Sequence, residues 1–411
     1  MNKKILIISS GQPSANPRLI KESLALSSEG YQVKVIYCPL SPWADQFDNN
    51  LFQNNPQIEW IKVGYHPLKE KWKYLYSRIR QKYYQALYNF FVEKNDYAIR
   101  SMVLFSQELI KEAKNQKADL FIGHNLGALP AVIKAAEHFN AKAGFDFEDF
   151  HRGEEEKDSP HWNKVKQIEE KFVPKLDYVT AASPLIVKEY QSVFKNHSFT
   201  TINNCFPFTY AVKEKTCLPS LPIKVFWFSQ TVGKNRGLET AIKAIGKIET
   251  SQVQLSLLGN CSAEMKNYFL SIAKENGLNP DQLNFILPVD EKKIVTLASM
   301  HHIGLACEVP HIINRELCLT NKIFIYLLAA NAILFSNTKA QALFLKENSG
   351  IGFLYEENND LQLADAIKEY LLNPALMDQH RDKSLQLAKE KINWETEQQG
   401  LLQKVKEVLI L

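Results

Sequence analysis

The stretch "KILIISSGQPSANPRLIKESLALSSEGYQVKVIY", residues 4–37, decides the fold. Two short runs of β-branched and apolar residues flank a segment with helical periodicity, which predicts a strand, a helix and a second strand. Asn16 is predicted to cap the helix, Pro17 takes its first position, and Gly30 ends it. Two strands joined by a helix are parallel, so the chain opens with a βαβ unit.

The same alternation repeats along the chain and predicts an α/β fold of two Rossmann-like domains with mostly parallel sheets and a cleft between them. Residues 1–204 form the first domain. Residues 205–222, rich in proline and without periodicity, are predicted to be a linker. Residues 223–395 form the second domain. The C-terminal helix, 396–411, either packs on the second domain or crosses back to the first.

Composition excludes several classes of protein. A chain of 411 residues is too long for one ordinary core, and its 45% hydrophobic and 23% charged content is that of a soluble globular protein. The net charge of +4 does not imply a nucleic-acid partner. The six cysteines contain no CxxC pair, which indicates a reducing compartment, the cytoplasm. No apolar run reaches the roughly 18–20 residues of a membrane-spanning helix.

Two glycine-containing loops are candidate anion sites, because backbone N–H groups at a helix N-terminus attract negative charge. The first follows strand one at Gly11, and the alternative there is an ordinary connection. The second, "SQTVGKNRG", holds Gln230, Gly233, Lys234 and Arg236, which together predict a phosphate cradle. Its alternative is a solvated basic turn. Neither a GxGxxG nor a P-loop pattern is present, which argues against a nicotinamide or flavin enzyme.

A lysine lies in the first turn of a predicted buried helix in "ELCLTNKIFIYLLAANAILFSNT", residues 316–338. Thr320 is predicted to cap this helix and Asn321 to begin it. A cation such as Lys322 is unfavourable at this electropositive end unless an anion lies nearby. We therefore predict that Lys322 contacts a nucleotide diphosphate; the alternative is a side chain that extends to water.

The first domain has candidate ligand-binding residues where strands end. Asp146, Glu148 and Asp149 follow a strand in "GFDFEDF", and His124 ends another in "IGHNLG". Ligands of α/β sheets bind at the carboxyl ends of strands, so these groups are predicted to orient hydroxyl groups of a ligand or take up a proton. Their alternatives are a solvated acidic turn and a structural histidine.

Metal binding is not predicted. The histidines and cysteine at positions 301, 302, 307 and 311 have spacings that fit none of the usual zinc patterns.

Six segments, in order, resemble the landmarks of GT-B glycosyltransferases of family four. They are "NPRLIKESLALSSEGYQVKVI", "ADLFIGHNLGALPAVIKAAEHFNAKAGFDFED", "DYVTAASPLIVKEY", "INNCFP", "SQTVGKNRGLETAI" and "TNKIFIYLLAANAILFSNT". The resemblance covers nearly the whole chain. It implies an enzyme that transfers a sugar from a nucleotide-diphosphate sugar with retention of anomeric configuration. The donor would lie against the second domain and the acceptor mainly against the first, with no metal and no cofactor.

The resemblance also assigns residues, with two departures. Arg236 and Gln230 occupy the places of a basic pair that stabilises the departing diphosphate, and Gln230 lacks the charge. Lys234 or Lys322 is a candidate to compensate. Ile325 stands where relatives carry a glutamate that binds the ribose.

Two glutamates have the spacing of the family's E-x7-E pair. They are Glu308 and Glu316, which we assign to the donor, with Glu316 ranked first.

Residues 66–91, "HPLKEKWKYLYSRIRQKYYQALYNFF", combine basic and aromatic side chains. Such a helix suits an anionic membrane surface, and the protein is then peripheral at the inner membrane face. Its alternatives are nucleic-acid binding and a cover over the acceptor cleft.

The sequence therefore predicts a glycosyltransferase that acts on a glycan or lipid-linked acceptor in polysaccharide biosynthesis. The donor base and sugar are not assigned. The chief alternative is a non-catalytic GT-B protein that acts as a binding or assembly partner, supported by Gln230 and Ile325. A GT-B sugar epimerase is a third possibility.

Overall fold

The computed structural model describes residues 3–91, 97–213, 215, 221–248 and 251–410, with the backbone alone at 291 and 292. The chain divides into two compact units. The first comprises Met1–Asn203, Ile312–Asn314 and Gln398–Leu411, and the second comprises Asn204–His311 and Arg315–Glu397. Part of the predicted linker, residues 214 and 216–220 with Cys217, lies outside the described residues.

The first unit contains a parallel sheet of seven strands in the order β3-β2-β1-β4-β5-β6-β7. The strands are β1 Lys4–Ser9, β2 Gln32–Tyr37, β3 Glu59–Lys62, β4 Leu120–His124, β5 Lys142–Phe147, β6 Tyr178–Ala181 and β7 Phe199–Thr201. Its helices are α1 Pro17–Ser28, α2 Asp45–Asn54, α3 Lys71–Phe90, α4 Tyr97–Met102, α5 Ser106–Ala113, α6 Leu129–Phe139, α7 Pro160–Phe172 and α8 Pro184–Val193.

The second unit contains a parallel sheet of six strands in the order β10-β9-β8-β11-β12-β13. The strands are β8 Ile223–Thr231, β9 Val253–Asn260, β10 Leu283–Ile286, β11 Ile303–Ala306, β12 Ala332–Ser336 and β13 Gly352–Tyr355. The helices that follow the linker are α9 Leu238–Gly246, α10 Ala263–Glu275, α11 Glu291–Ser299, α12 Ile313–Leu317, α13 Asn321–Leu328, α14 Lys339–Glu347, α15 Asp360–Leu372, α16 Pro374–Glu390 and α17 Trp394–Ile410.

The predicted α/β class with two parallel sheets is confirmed. The paired strands of the described residues are parallel, and most of them are nearly continuous apolar runs, as expected where helices cover both faces. One strand, β3, was not predicted. It is a short edge strand with exposed Glu59 and Lys62 at its ends, so it has none of the burial that makes a strand visible in a sequence.

The opening βαβ unit forms as predicted. The Asn16 Oδ1 accepts a hydrogen bond from the Leu19 N–H, Pro17 begins α1, and Gly30 follows the helix with a φ of 88°. A positive φ is costly for residues with a side chain, which explains the glycine. The buried helix α13 also begins at Asn321 as predicted. Thr320 occupies the N-cap position as predicted, but its hydroxyl makes no capping hydrogen bond.

The fold identifies where ligands bind. Strand order reverses between β1 and β4 in the first sheet and between β8 and β11 in the second. Ligands of open parallel sheets bind beyond the carboxyl ends of the strands at such points, because neighbouring loops diverge there and leave a crevice.

No helix among the described residues has both the length and the apolar character needed to cross a bilayer.

Candidate functional site

The loop between β8 and α9 carries Lys234 and Arg236. Its backbone at Gly237 has a φ of 76°, and a Cβ there would lie 2.9 Å from the Cβ of Cys307 on the neighbouring strand end. The Cys307 thiol also donates to the Arg236 carbonyl at 3.0 Å. These contacts attach the loop to the carboxyl end of β11, so the position of Arg236 is set by the sheet.

The side chains of this loop have different surroundings. Arg236 is half-buried and donates from Nη1 to the Ser229 hydroxyl at 2.9 Å. The Lys234 ammonium lies 4.3 Å from the centre of the Tyr268 ring, while Gln230 is exposed at the end of β8. Gly233 has open space where a side chain would begin.

Glu308 follows β11 and forms the centre of a charged cluster. Its Oε1 accepts a hydrogen bond of 2.7 Å from the Lys322 Nζ, and its Oε2 lies 3.5 Å from Nη1 of Arg315. Burial acts to raise the pKa of Glu308, but the positive charges of Lys322, Arg315 and Arg236 outweigh it and lower the pKa. Three cations therefore act on one carboxylate, and two positive charges are left without a partner in this cluster.

This cluster changes the explanation of Lys322. The side chain is buried and its ammonium lies 5.4 Å from the centre of the Trp227 ring, so the alternative in which it extends to water is wrong. The anion beside it in the structure is the Glu308 carboxylate of the protein itself.

The other residues predicted to bind the donor are distributed over the second unit. Glu316 accepts a hydrogen bond from the Lys339 N–H at the start of α14, and Asn321 accepts one from Asn204. Ile325 is buried in the core. Glu308, ranked second by the sequence, is thus the glutamate that the structure joins to Lys322.

In the first unit, the reversal of strand order brings Gly11 and His124 to the same sheet edge. The Ser9 hydroxyl accepts from the Gly11 N–H at 3.1 Å and donates to the Asn125 Oδ1 at 3.0 Å. Gly11, expected to bind the donor, therefore lies in the unit that does not contain the basic cluster. A Cβ at position 11 would make only ordinary van der Waals contacts, so packing does not require glycine there.

Glu148 is bound by three donors at this edge. It accepts hydrogen bonds from Asn16, from His124 Nδ1 at 3.1 Å and from Asn125 Nδ2 at 3.3 Å. Its side chain is 19% exposed, so it can still meet a ligand. Asp149, the next residue, is half-buried, and its Oδ1 accepts from Asn314 Nδ2 at 2.8 Å within the same unit.

His124 is fully buried and has carboxylates on both sides. Its Nε2 lies 2.6 Å from Oε2 of Glu22, opposite the bond from Nδ1 to Glu148. Burial acts to lower the pKa of His124, but the hydrogen bonds to Glu148 and Glu22 and the charges of Glu22 and Asp146 raise the pKa to about 10. His124 is therefore a cation at neutral pH with both ring N–H groups engaged, and it positions Glu148.

Two residues that the sequence did not single out complete this network. Arg18 donates to Asp146 from Nε at 2.7 Å and from Nη2 at 2.5 Å, and Asp146 also accepts from the Thr180 hydroxyl. Burial acts to raise the pKa of Asp146, and the guanidinium overcomes it and lowers the pKa to about 2. Arg18 and Glu22 lie four residues apart on α1, so both side chains leave the helix on one face. That spacing was the available signal.

Metal ligation has one candidate group among the described residues. Ligand atoms of His124, Asp146 and Glu148 lie within 4.8 Å of one another. Asp146 already forms a two-point ion pair with Arg18, and His124 donates protons toward the other carboxylates, so the group is better described as an internal ion-pair network. His302 of the second unit accepts a backbone hydrogen bond from Lys224.

Comparison with known proteins gives structural matches alone. No family model matches the chain, and no curated protein matches it. A glycosyltransferase from Rickettsia africae is 13% identical with a TM-score of 0.71, covering 99% of each chain. The sucrose-phosphate synthase of Thermosynechococcus elongatus is 15% identical with a TM-score of 0.70, covering 100% of each. HepE of Anabaena, solved in complex with UDP-glucose, is 13% identical with a TM-score of 0.70, covering 99% of this chain and 100% of its own. These likenesses confirm the predicted GT-B fold.

Proposed function

We propose that the protein is a glycosyltransferase that moves a sugar from a nucleotide-diphosphate sugar to a glycan or lipid-linked acceptor with retention of configuration. The observation that carries the proposal is the basic cluster of the second unit, in which Arg236, Arg315 and Lys322 act on the single carboxylate of Glu308. The excess of positive charge lies where strand order reverses, and a diphosphate is the anion of nucleotide sugars that would balance it.

The cluster accounts for the chemistry of the leaving group. In the transfer, the bond between the anomeric carbon and the diphosphate oxygen breaks, and the acceptor hydroxyl oxygen bonds to that carbon. The electron pair goes to the diphosphate, and the hydroxyl proton goes to a carboxylate or a phosphate oxygen. Preorganised cations lower such a barrier because they bind the charge that develops on the leaving group. Arg236 takes this part in our proposal, with Lys234 and Lys322 supplying the charge that Gln230 lacks.

The acceptor side of the proposal uses the first unit. Glu148 and Asp149 accept hydrogen bonds from acceptor hydroxyls, and His124 holds Glu148 in place from behind. Glu316 and Asn321 bind the donor in our proposal. No cofactor is part of the proposal, since the nucleotide sugar is a substrate.

The names of similar proteins support the donor class and suggest which donors to test first. Two of the compared structures are named for sugar transfer or synthesis, and HepE was solved with UDP-glucose. We therefore begin with uridine diphosphate sugars.

The test is thermal stabilisation by UDP, GDP, ADP, CDP and their sugars, with wild type and Arg236→Ala. A ligand that binds only the native state raises the melting temperature, by an amount set by its concentration over Kd. We expect one nucleotide family to raise the melting temperature of wild type and not that of Arg236→Ala. The control variant Lys243→Ala, at an exposed site, should show the same increase as wild type. No shift at concentrations well above millimolar would contradict the proposal.

A second candidate function rests on two observations. Gln230 is an exposed neutral side chain and Ile325 is a buried apolar one, at places where the resemblance predicts a cation and a carboxylate. A GT-B protein that binds without turnover would show the thermal shift and release no nucleotide in the presence of any acceptor. Release of UDP from a UDP sugar, lost in Arg236→Ala, decides for the transferase.

A further inference from the structure

The outer face of helix α3 is an exposed apolar stripe. The six side chains that we call the α3 stripe are large, and all are exposed: Trp72, Leu75, Tyr76, Ile79, Tyr83 and Phe90. Trp72 is 83% exposed and Phe90 is 81% exposed. A run of apolar side chains along five turns of one helix is larger than the scattered exposed residues of an ordinary surface.

The geometry of the helix shows that the stripe faces away from the first unit. At 3.6 residues per turn its six positions fall within an arc of about 100°. The buried residues Ser77 and Tyr88 lie on the opposite side. That inner side is attached to the unit by hydrogen bonds from Gln81 to the Met102 carbonyl and from Arg80 to Glu108. The stripe is therefore held outward by a helix that is anchored along its other face.

The charge of the helix has a single sign. Residues 71–90 contain five lysines and arginines and no aspartate or glutamate. Lys71, Arg78 and Lys82 are exposed along one border of the stripe, and among the described residues none of them forms an ion pair. An apolar stripe bordered by unpaired cations is the pattern of a helix that lies in a lipid interface.

The apolar surface continues beyond the helix. Leu68 precedes α3 and is exposed, and Trp43 and Phe47 are exposed on both sides of Asp45 in the sequence. The Asp45 carboxylate binds the Lys69 ammonium at 2.6 Å and the His66 ring at 3.1 Å. These two contacts join the start of α2 to the segment ahead of α3, so two separate elements contribute exposed aromatic side chains.

We propose that the α3 stripe binds the surface of an anionic lipid bilayer. Aliphatic side chains such as Leu75 and Ile79 gain from burial among acyl chains, while tryptophan and tyrosine suit the headgroup boundary. The bordering cations match anionic headgroups. A second copy of the chain is a poorer occupant, since two such faces would bring like charges together. Nucleic acid is also poorer, since it offers nothing for the aliphatic residues.

This inference is independent of the proposed glycosyl transfer, because lipid binding is measured without nucleotide or acceptor. If both are correct, the protein works at the inner face of a membrane, where a lipid-linked acceptor is available.

The test is co-sedimentation of the purified full chain with vesicles of phosphatidylglycerol and phosphatidylcholine, compared with phosphatidylcholine alone. Each cation near an anionic surface strengthens binding about fivefold. We therefore expect the triple variant Lys71→Gln, Arg78→Gln, Lys82→Gln to bind anionic vesicles at least about tenfold more weakly. The matched triple variant Lys243→Gln, Lys274→Gln, Lys346→Gln removes the same charge from exposed sites of the second unit, and we expect it to bind within about threefold of wild type.

The apolar stripe has its own readout. Trp72→Ala with Ile79→Ala should lose binding, whereas Leu372→Ala, at another highly exposed apolar site, should keep it. Trp72→Phe should bind like wild type but show a smaller blue shift of tryptophan fluorescence on lipid insertion, because Trp72 is one of six tryptophans. Unchanged circular dichroism and melting temperature confirm that each variant is folded.

Three results would overturn the proposal: no sedimentation with anionic vesicles at low salt, equal weakening by the two triple variants, or an equal fluorescence blue shift in wild type and Trp72→Phe. Concentration-dependent dimerisation abolished by the Trp72 and Ile79 substitutions would assign the stripe to a second copy. Tighter binding to single-stranded nucleic acid than to anionic vesicles would assign it to nucleic acid.

Discussion

The Lys322 Nζ donates to Glu308 Oε1 at 2.7 Å, and both side chains are nearly buried. The two residues are fourteen positions apart, one after β11 and the other in the first turn of α13. The lysine is thus tolerated at an electropositive helix end because the chain supplies a carboxylate there.

Replacing one partner of this pair should be worse than replacing both. Lys322→Met removes the hydrogen bond of 2.7 Å to the Glu308 carboxylate and leaves that carboxylate with Arg315 and Arg236, and we expect it to lower the free energy of unfolding by about 1.5–3 kcal/mol. The double variant Lys322→Met, Glu308→Gln also removes the buried carboxylate that has lost this hydrogen bond and should recover part of that loss. Urea unfolding of the single and double variants measures the coupling. Additive losses would show that the pair is not coupled.

Gly237 and Gly233 offer a matched pair in the basic loop. Alanine at Gly237 must adopt a φ of 76° and meets the Cys307 Cβ at 2.9 Å, whereas alanine at Gly233 meets nothing within 4 Å. We expect Gly237→Ala to lower the free energy of unfolding by about 1–3 kcal/mol and to weaken the thermal shift caused by a nucleotide. Gly233→Ala should leave the free energy of unfolding within about 0.5 kcal/mol. Equal effects of the two substitutions would contradict the assigned loop geometry.

His124 predicts how stability depends on pH. Its pKa is raised to about 10 in the folded protein, against about 6.5 for histidine in an unfolded chain. A raised pKa contributes stability that is complete below about pH 6.5 and is lost as the pH rises through about 10. We expect the unfolding free energy of wild type to fall by at least about 2 kcal/mol more than that of His124→Gln between pH 6 and pH 10.

Urea unfolding at the two pH values makes this measurement. The control is His161→Gln, at a half-buried site that forms no ion pair among the described residues, and it should follow wild type. Nitrogen NMR of the ring adds a direct observation, since both ring nitrogens should be protonated at pH 8. A neutral His124 at that pH would be incompatible with the network.

Arg18→Lys tests the geometry of the ion pair rather than its charge. Lysine keeps the positive charge but cannot donate to both oxygens of Asp146 in the fixed arrangement of a guanidinium. A hydrogen bond to a charged group contributes about 1.5–3 kcal/mol, so we expect a loss of that size in the free energy of unfolding. Arg78→Lys on the exposed face of α3 should change it little, and an equally small effect at Arg18 would show that charge alone suffices.

Much of the fold was predictable because it depends on local pattern. Twelve of the strands correspond to β-branched runs read from the sequence, and α1 begins and ends at the residues that cap it. Helix capping and strand burial depend on residues a few positions apart, so both can be predicted from one amino-acid sequence. β3 was not predicted, because it is an edge strand with charged ends and lacks that burial.

The sequence by itself determined the order of the elements, the parallel α/β class and the loop that holds Arg236, since each follows from short-range periodicity and turn chemistry. Only the tertiary structure decided which charges meet. His124 joins Glu22 across 102 positions, and Arg18 joins Asp146 across 128, because the reversal of strand order places distant strand ends side by side. The same holds for the α3 stripe. Its composition is given by the sequence, but the packing of α3, which buries Ser77 and Tyr88, decides which face stays exposed.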